Sequence, residues 1–474
     1  MELRAKIQKF SQERLMLVLG VYILCQPLID VLTSLGANAG HSITAGVVVR
    51  SLFMAACFLY AVFVSRFEGK RWCMIYTGAL VAYLALFMGY MLFLGGFGLC
   101  IANVQEVVKT FFAPFVAVFL YCIYRQYGFA VAARTIGTAG GLYASVILLA
   151  ILTGTSNFSY ANSGNGFNGW FFAANEVSCI IALTAPFTVC LCVQALPAIT
   201  KKTWWKGLVI AWTLISVAVS ANFIGTKIVF AVTALYCVAA FVWTAAALCR
   251  ERSKALLVQT VVLGVLCVVV VGMFFGSPLR NYLNSIYFEI MDEDSELRLI
   301  SWGEEIQKAS EGTWLKELLQ ENETWERVDQ ILSRRLLSAS PSVQVYTEGG
   351  ILAKLLGIGY ADAPSYSRSI EFMVEMDPPG ILVRHGILGF ALYCGPYFAF
   401  VVYAIVQFFK RPGQRLGSLV YCTALYSVLT GFAISLIAGH ALVSPAVSTF
   451  MLLTGMQLWA LTQEQNGQPK LKKA

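Results

Sequence analysis

The sequence predicts an all-α, polytopic membrane protein with about 12 transmembrane helices, and three observations support this prediction. Hydrophobic residues make up 58% of the 474 positions and charged residues only 13%, which is too apolar for ordinary soluble domains. The apolar residues form runs of about 20, the length that a helix needs to cross a ~30 Å hydrocarbon core. The basic residues lie mostly between alternate runs, a pattern typical of cytoplasmic loops.

Twelve apolar runs have spanning length and define the predicted helices. They lie near 15–35, 43–64, 73–94, 102–124, 135–153, 176–196, 206–221, 224–248, 255–275, 380–409, 417–437 and 441–461. We therefore divide the chain into residues 1–275 with spans 1 to 9, a hydrophilic loop at 276–379, and residues 380–474 with spans 10 to 12 and a short tail. An even number of spans places both termini on one side of the membrane.

The charge distribution predicts the orientation. With the N-terminus in the cytoplasm, 21 of the 34 lysines and arginines fall in cytoplasmic segments, and the short outer loops contain none. Short loops govern orientation and long translocated ones do not, so the loop 276–379, with 18 acidic and nine basic residues, is consistent with an outer position. The net charge of +8 then reflects contact with anionic inner-leaflet lipid, and no nucleic-acid partner is predicted.

The cysteines are predicted to be packing residues. All 13 lie in or beside the spans, and none falls in 276–379, where the disulfide framework of an outer segment would be expected. A buried free cysteine behaves as a small apolar side chain. No group of histidine, cysteine and carboxylate residues has metal-ligand spacing, so the sequence indicates neither a metal site nor a cofactor.

Part of the outer loop is predicted to be helical. Between 314 and 332, apolar residues recur at three- and four-residue spacing, which is the stripe of an amphipathic helix. The stripe consists of Trp314, Leu318, Trp325, Val328, Ile331 and Leu332. A second helix is expected near 295–311. Two arrangements are open: the helices lie on the outer leaflet as a lid, or they pack on the helical bundle.

Ionisable residues within the spans share one depth. At ~1.5 Å of rise per residue, all of them lie within roughly 10–12 Å of the outer end of their span. They are Asp30, Arg50, Glu106, Lys109, Glu176, Lys227, Asp377, Arg384, His385 and His440. Burying such a group in a bilayer costs at least about 2.5–3.5 kcal/mol, so each needs a partner or a water-filled cavity.

Local pairing accounts for some of these residues. Glu106 and Lys109 are three positions apart on one predicted helix and can pair there. Asp30 and Arg50 can pair between neighbouring helices, and lone residues at span ends can snorkel to water. These explanations do not predict the shared depth, whereas a hydrated cavity that opens outward does predict it.

The predicted cavity is partly cationic. Guanidinium and ammonium groups are natural protein partners of phosphate oxygens, so the implied ligand is an anionic head group held beside lipid. The predicted lining includes Arg50, Lys109, Glu176 and His385. The three histidines of the chain lie on or near the predicted outer face, and histidine titrates in the range that suits proton transfer.

Five strings occur in order along residues 160–450, each at a predicted outer membrane face. They are GFNGWFFAANEVSCIIALTAPF, NFIGTKIVF, ILSRR followed by LLGIGYA, EMDPPGILVRHGILGFALY, and AGHALVSPAVS. Together they resemble the O-antigen ligase and polymerase-like family, in particular its Gram-positive members. The resemblance implies a helical, GT-C-like fold with one large extracytoplasmic helical loop before the last spans.

The same resemblance implies an activity and a place. The activity is metal-independent transfer of glycan from an undecaprenyl-diphosphate carrier to a glycan, lipid or wall acceptor, without a cofactor. The place is the bacterial cytoplasmic membrane, with both termini cytoplasmic and the active site facing outward. Polymerase and ligase activity are both compatible with the sequence.

Residue roles follow from the resemblance. Arg335 in ILSRR is similar to the outer-loop arginine that contacts the diphosphate in this family, with Arg298 as a competing match. Lys227 stands where many relatives have arginine, and Arg384 is a further candidate for the diphosphate. These cations are expected to share one hollow, in which the positive charge stabilises the leaving diphosphate.

The base that activates the acceptor has three candidates. Ligases of the family commonly carry a His-Asn pair before the tenth span, where this chain has Glu375 and Asp377. Either carboxylate takes the role of base, or His440 reaches in from the last span. A positioned base adds roughly 10²–10⁴-fold to the rate.

A secondary transporter or a lipid-linked glycan flippase is the alternative function, since twelve spans with both termini inside is a common transporter layout. Transporters usually show internal repeats and ionisable groups near the bilayer midplane. Neither feature is evident in this sequence, and the inner halves of the spans lack the polar residues of a translocation route.

Overall fold

Long apolar helices dominate the chain, which confirms the predicted all-α polytopic membrane fold. The structure is a computed structural model that describes residues 2–41, 43–128, 131–160, 165–281, 283–284, 308–332, 334–370 and 374–467.

Among the described residues, the first part of the chain has nine α-helices and one β-hairpin. They are α1 Glu2–Leu24, α2 Gln26–Asn38, α3 Ala45–Leu59, α4 Lys70–Tyr127, α5 Ala133–Leu152, β1 Asn157–Tyr160, β2 Asn165–Gly169, α6 Ala174–Ala195, α7 Trp204–Phe223, α8 Lys227–Glu251 and α9 Lys254–Phe274. A π-helical turn at Tyr60–Val64 extends α3.

The second part begins with short helices and ends with three long ones. They are α10 Trp314–Glu321, α11 Glu323–Ile331, α12 Arg335–Glu348, α13 Ile351–Leu356, α14 Asp377–Lys410, α15 Pro412–Leu416, α16 Leu419–Ile437 and α17 Pro445–Gln465.

Within the described residues, nine helices are long and apolar enough to cross a membrane, and the bent pair Gln12–Leu24 and Gln26–Asn38, with an angle of 45°, is long and apolar enough when its two parts are taken together. The proline at the start of α2 lacks an N–H and cannot continue the hydrogen bonding of α1, which explains the bend. The helix of the twelfth predicted span, α17, has spanning length but is less apolar than the nine.

Helix α4 is a hairpin that supplies two of the predicted spans. It has 58 residues, and its backbone leaves the helical conformation at Gly95 and Gly96, where the φ of Gly96 is 72°. The rings of Tyr83 and Phe111 lie 5.8 Å apart, although 28 residues of straight helix would separate them by about 42 Å. The halves before and after Gly96 therefore pack against each other, in agreement with spans predicted at 73–94 and 102–124.

Helix α6 is the central helix of the bundle and packs against α5, α8, α16 and α17. Glycines on α5 allow a close approach, because a Cβ at Gly137 would lie 2.8 Å from the carbonyl oxygen of Phe187. Small residues at such contacts favour helix association in a membrane, where van der Waals packing replaces the hydrophobic effect. The packing fixes the start of α6, which carries Glu176.

The amphipathic stripe of the outer loop forms two helices instead of one. Asn322 separates α10 from α11, and its side-chain oxygen accepts hydrogen bonds from the N–H groups of Thr324 and Trp325, which caps the second helix. Leu319 packs against Leu337 of α12. The stripe residues Trp314, Leu318 and Trp325 remain 43%, 46% and 50% exposed. This exposure favours a position on the leaflet over packing on the bundle. The helix predicted near 295–311 lies largely outside the described residues.

Candidate functional site

A cavity of about 710 Å³ lies where several helix ends meet. Its wall includes the first turns of α3, α6, α14 and α17, together with the last turns of α2 and the start of the second half of α4. The N-terminus of a helix carries roughly half a positive charge and unpaired N–H groups. Four helix N-termini therefore converge on one hollow, which favours negatively charged ligands there.

The ionisable side chains of the cavity wall are balanced in charge. They are Arg50, Lys109, Arg384, Glu106, Glu176 and Asp377, with His41 and His440. Seven of the ten ionisable residues for which the sequence predicts one depth therefore line this cavity. Lys227 and Arg335 do not line it, so the expectation of one hollow gathering Lys227, Arg335 and Arg384 is wrong. The start of α8 instead packs against the first turn of α6, where Ser178 and Thr226 form a 2.5 Å hydrogen bond.

Two ion pairs expected from the sequence are present in the cavity wall. The Arg50 guanidinium lies 2.6 Å from Asp30, and both side chains are largely buried. Asp30 also accepts a 2.5 Å hydrogen bond from Tyr143. Lys109 lies 2.6 Å from Glu106 on the same helix, and this pair is about one third exposed. The first pair therefore joins α2, α3 and α5 and the second remains accessible from the cavity.

Asp377 is held by a backbone loop. Its two carboxylate oxygens accept hydrogen bonds from the N–H groups of His440, at 2.7 Å, and Leu442, at 2.8 Å. The side chain is 1% exposed. Both oxygens are thus engaged with the segment that connects α16 to α17, and this arrangement favours a structural role for Asp377 over the role of base.

The same loop explains the glycine in AGHALV. Gly439 has a φ of 71°, and a Cβ there would lie 1.5 Å from the carbonyl oxygen of Glu375. Only glycine fits such a close approach of two backbones. The next residue, His440, also has a positive φ of 63°. This backbone conformation is unfavourable for any residue with a Cβ, and residues that adopt it are often found at functional sites.

The first turns of α14 end in a break at Gly386, whose φ is 63° and ψ is −174°. The break frees the carbonyl groups of Val383 and Arg384, and these accept hydrogen bonds of 3.1 Å from the N–H groups of Ile358 and Gly359. A membrane-embedded backbone needs such internal partners. The GIG turn after α13 is therefore part of the tenth span, where it replaces one turn of helical hydrogen bonding.

Arg384 stabilises this junction. Its guanidinium donates to the carbonyl oxygens of Gly359, at 2.9 Å, and Ile370, at 3.0 Å, and the side chain is 5% exposed. It lines the cavity, but its donors serve the backbone of the outer segment. The resemblance suggested that Arg384 binds the diphosphate. The position of Arg384 in the structure instead indicates that it shapes the cavity wall.

His385 does not line the cavity, which corrects the prediction. The ring is fully buried, with Nε2 2.8 Å from the hydroxyl of Tyr360 and Nδ1 3.2 Å from that of Tyr83. The ring also packs against Phe111. The helix turns His385 away from the cavity because it is adjacent to Arg384, about 100° round the helix.

Tyr360 is a cavity residue that the sequence reasoning missed. Its hydroxyl lies 2.7 Å from Thr110 and 2.8 Å from His385, and the residue lines the cavity. Its place directly after the GIG turn in LLGIGYA was the available signal.

A second set of charged side chains lies beside the cavity. Arg335, the first residue of α12, lies 2.5 Å from Glu375, and both side chains are mostly buried. The charges of Arg335 and the half-buried Lys227 are close enough to act on each other. We call Arg335, Lys227 and Glu375 the Arg335 cluster. Arg298, the competing match, lies outside the described residues.

The β-hairpin positions Lys227. A Cβ at Gly166 would lie 2.4 Å from the carbonyl oxygen of Ile224, so the strand β2 presses on the loop between α7 and α8. Lys227 begins α8 directly after this loop. The strings GFNGW and NFIGTK are thus in contact in the fold.

Comparison with known proteins agrees with this picture. A family model described as O-antigen ligase like membrane protein matches residues 12–464, nearly the whole chain. No curated protein matches the sequence. The match confirms the resemblance that the five strings indicated, and the family implies a glycan-transferring membrane enzyme, either a ligase or a polymerase.

Proposed function

The chain belongs to the O-antigen ligase-like family of membrane proteins, and we propose that it transfers glycan from an undecaprenyl-diphosphate carrier to a glycan, lipid or wall acceptor. The transfer takes place at the outer face of the bacterial cytoplasmic membrane and needs no metal ion. One observation carries the proposal: four helix N-termini converge on a cavity that adjoins the Arg335 cluster. Such a site suits a substrate that is negatively charged at one end and rich in hydroxyl groups at the other.

The Arg335 cluster is the proposed site of the diphosphate. Arg335 and Lys227 offer two cations within electrostatic range of each other, and like charges held together are stabilised by an anion between them. The Arg335 guanidinium already binds a carboxylate at 2.5 Å, the geometry that also suits a phosphate oxygen. The diphosphate would displace Glu375 from Arg335, which frees that carboxylate near the reaction centre.

The acceptor would bind in the cavity. Its hydroxyl oxygen attacks the anomeric carbon of the donor, the bond from that carbon to the diphosphate oxygen breaks, and the carrier diphosphate leaves with the electron pair. The proton of the acceptor hydroxyl passes to a base. Positive charge at the leaving group stabilises the transition state, since negative charge develops there.

His440 is the base that we favour among the predicted candidates. It lines the cavity, and no hydrogen bond of its ring is found among the described residues. Asp377 is engaged by backbone N–H groups, and Glu375 is paired with Arg335 until a diphosphate displaces it. Glu176 is a further possibility, because its half-buried carboxylate lines the same cavity and has no partner in the described part of the chain.

The outward orientation rests on the charge distribution. The cavity lies at the helix ends that the sequence places opposite the basic loops. Under the positive-inside rule those loops are cytoplasmic, so the cavity opens toward the outer side, where the carrier presents finished glycan.

The test is glycan transfer by purified protein with a carrier-linked donor, in the variants Arg335→Ala and Arg335→Lys. Loss of one preorganised donor to a developing anion typically lowers the rate about 10²–10³-fold, so we expect that loss in R335A and a smaller one in R335K, which keeps the charge but not the planar fork. Arg327→Ala, in the same segment at an exposed position, is the matched control. Full activity of R335A would remove Arg335 from the reaction.

A further inference from the structure

Arg50 is a buried arginine whose Nη1 atom donates no hydrogen bond to a described residue. Its Nε and Nη2 atoms lie 3.2 and 2.7 Å from the side-chain oxygen of Gln26, and Nη2 lies 2.6 Å from Asp30. The residue is 7% exposed and lines the cavity. No described residue accepts a hydrogen bond from Nη1. A guanidinium carries five donors in a fixed fork, so the two donors of Nη1 remain for a ligand.

The start of α3 leaves space for a ligand beside Nη1. Gly46, one turn earlier on α3, has no side chain in the way: a Cβ there would lie 2.8 Å from Nη1 and 2.5 Å from the hydroxyl oxygen of Thr33. Thr33 accepts the N–H of Gly46 at 2.8 Å, which fixes the start of the helix. The arm therefore lies beside the N-terminus of a 15-residue helix, whose dipole favours an anion.

The charge balance limits what this place can bind. Asp30 neutralises Arg50, and its second oxygen is taken by Tyr143. The remaining attraction for an anion comes from the two N–H donors of Nη1 and the end of the helix. This suits a single oxyanion bound among neutral groups, and it differs from the Arg335 cluster, where two cations suit a diphosphate.

We propose that Nη1 of Arg50 and the N-terminus of α3 form an oxyanion subsite that binds a carboxylate or phosphate on a sugar of the glycan. The inference rests on the proposed function for the identity of the molecule, but not for the chemistry of the subsite. The cavity volume of about 710 Å³ is within the range of small-molecule sites. The glycan handled by this protein is accordingly acidic.

Binding of three probes to the full-length protein in nanodiscs tests the subsite: glucuronate, inorganic phosphate and glucose. The double variant Thr33→Ala/Gly46→Ala places a methyl group against Nη1 and removes the hydroxyl with which it would collide. Losing a charge-assisted hydrogen bond lowers affinity about 10- to 150-fold, and we expect this loss for the anions. Gly36→Ala is the control, since its Cβ meets nothing closer than 3.8 Å.

A second variant guards against misfolding. Asp30→Asn/Arg50→Gln removes both charges and keeps polar side chains at both positions, and it should also lose anion binding while retaining the thermal stability of a folded protein. Because phosphate also fits the Arg335 cluster, only the affinity that T33A/G46A removes is attributed to the subsite. A larger loss for glucuronate than for phosphate assigns a uronic acid, and the reverse assigns a phosphorylated sugar.

Three results would overturn the proposal: glucose binding as well as the anions, equal affinity in the wild type and T33A/G46A, or no binding of either anion. The assay uses no lipid-linked donor, so its outcome is separate from that of glycan transfer. A protein that binds glucuronate but transfers no glycan would refute the proposed function and leave the subsite in place.

Discussion

Replacing Asp377 by asparagine separates two roles for this residue. As a structural residue, the carboxylate binds the N–H groups of His440 and Leu442 and fixes the loop between α16 and α17. As the base, it would take a proton from the acceptor. The D377N variant keeps the size of the side chain and removes the charge, and one of the two oxygens becomes an NH₂ group.

The expected loss of stability in D377N follows from those two hydrogen bonds. The amide oxygen of asparagine can keep one N–H partner, while the NH₂ group faces the other N–H donor. A lost hydrogen bond to a charged group costs about 1.5–3 kcal/mol, and a buried N–H without an acceptor costs about 1–3 kcal/mol. With the side chain 1% exposed, solvent cannot replace the acceptor. Because the lost hydrogen bond and the N–H without an acceptor are the same contact, the two costs are not added, and we expect D377N to lower the free energy of unfolding by about 1.5–3 kcal/mol.

Unfolding of the purified protein by a denaturing detergent measures this free energy, and glycan transfer is measured on the same preparation. Glu106→Gln is the matched control at the same cavity, because its pair with Lys109 is about one third exposed and exposed pairs contribute about 0–1 kcal/mol. Wild-type stability of D377N together with abolished transfer would refute the structural role and make Asp377 the base.

Three further predictions concern the junction and the base. Gly357→Ala places a Cβ 2.2 Å from a backbone carbonyl oxygen of α14 and should sharply lower the unfolding midpoint, whereas Gly98→Ala, with nothing within 4 Å, should not; equal midpoints would contradict the close packing of the GIG turn. His440→Asn should reduce the rate of glycan transfer about 10²–10⁴-fold. Its stability should not change, since asparagine tolerates a positive φ. If Glu176→Gln shows that loss of rate and His440→Asn does not, Glu176 is the base. Tyr360→Phe leaves two partners without a hydroxyl and should cost about 1–3 kcal/mol of stability, so unfolding at the wild-type midpoint would rule out this bridge.

The sequence by itself determined the membrane character and the helical fold, and it predicted the positions of the spans. These properties depend on the transfer of local segments from water to lipid, and each can be read from a single run of residues. The pairing of Glu106 with Lys109 was predictable for the same reason, since the spacing along one helix brings them together.

The tertiary structure alone decided which of those residues share a hollow. No pattern in the sequence indicates that Lys227 lies outside the cavity, that Asp377 is engaged by backbone N–H groups 63 and 65 positions later, or that the GIG turn completes a broken span. Charge and hydropathy are properties of a residue and its neighbours in sequence, whereas the partner of a buried charge depends on how separate helices pack. The roles of Arg384 and His385 were therefore beyond what a linear pattern could determine.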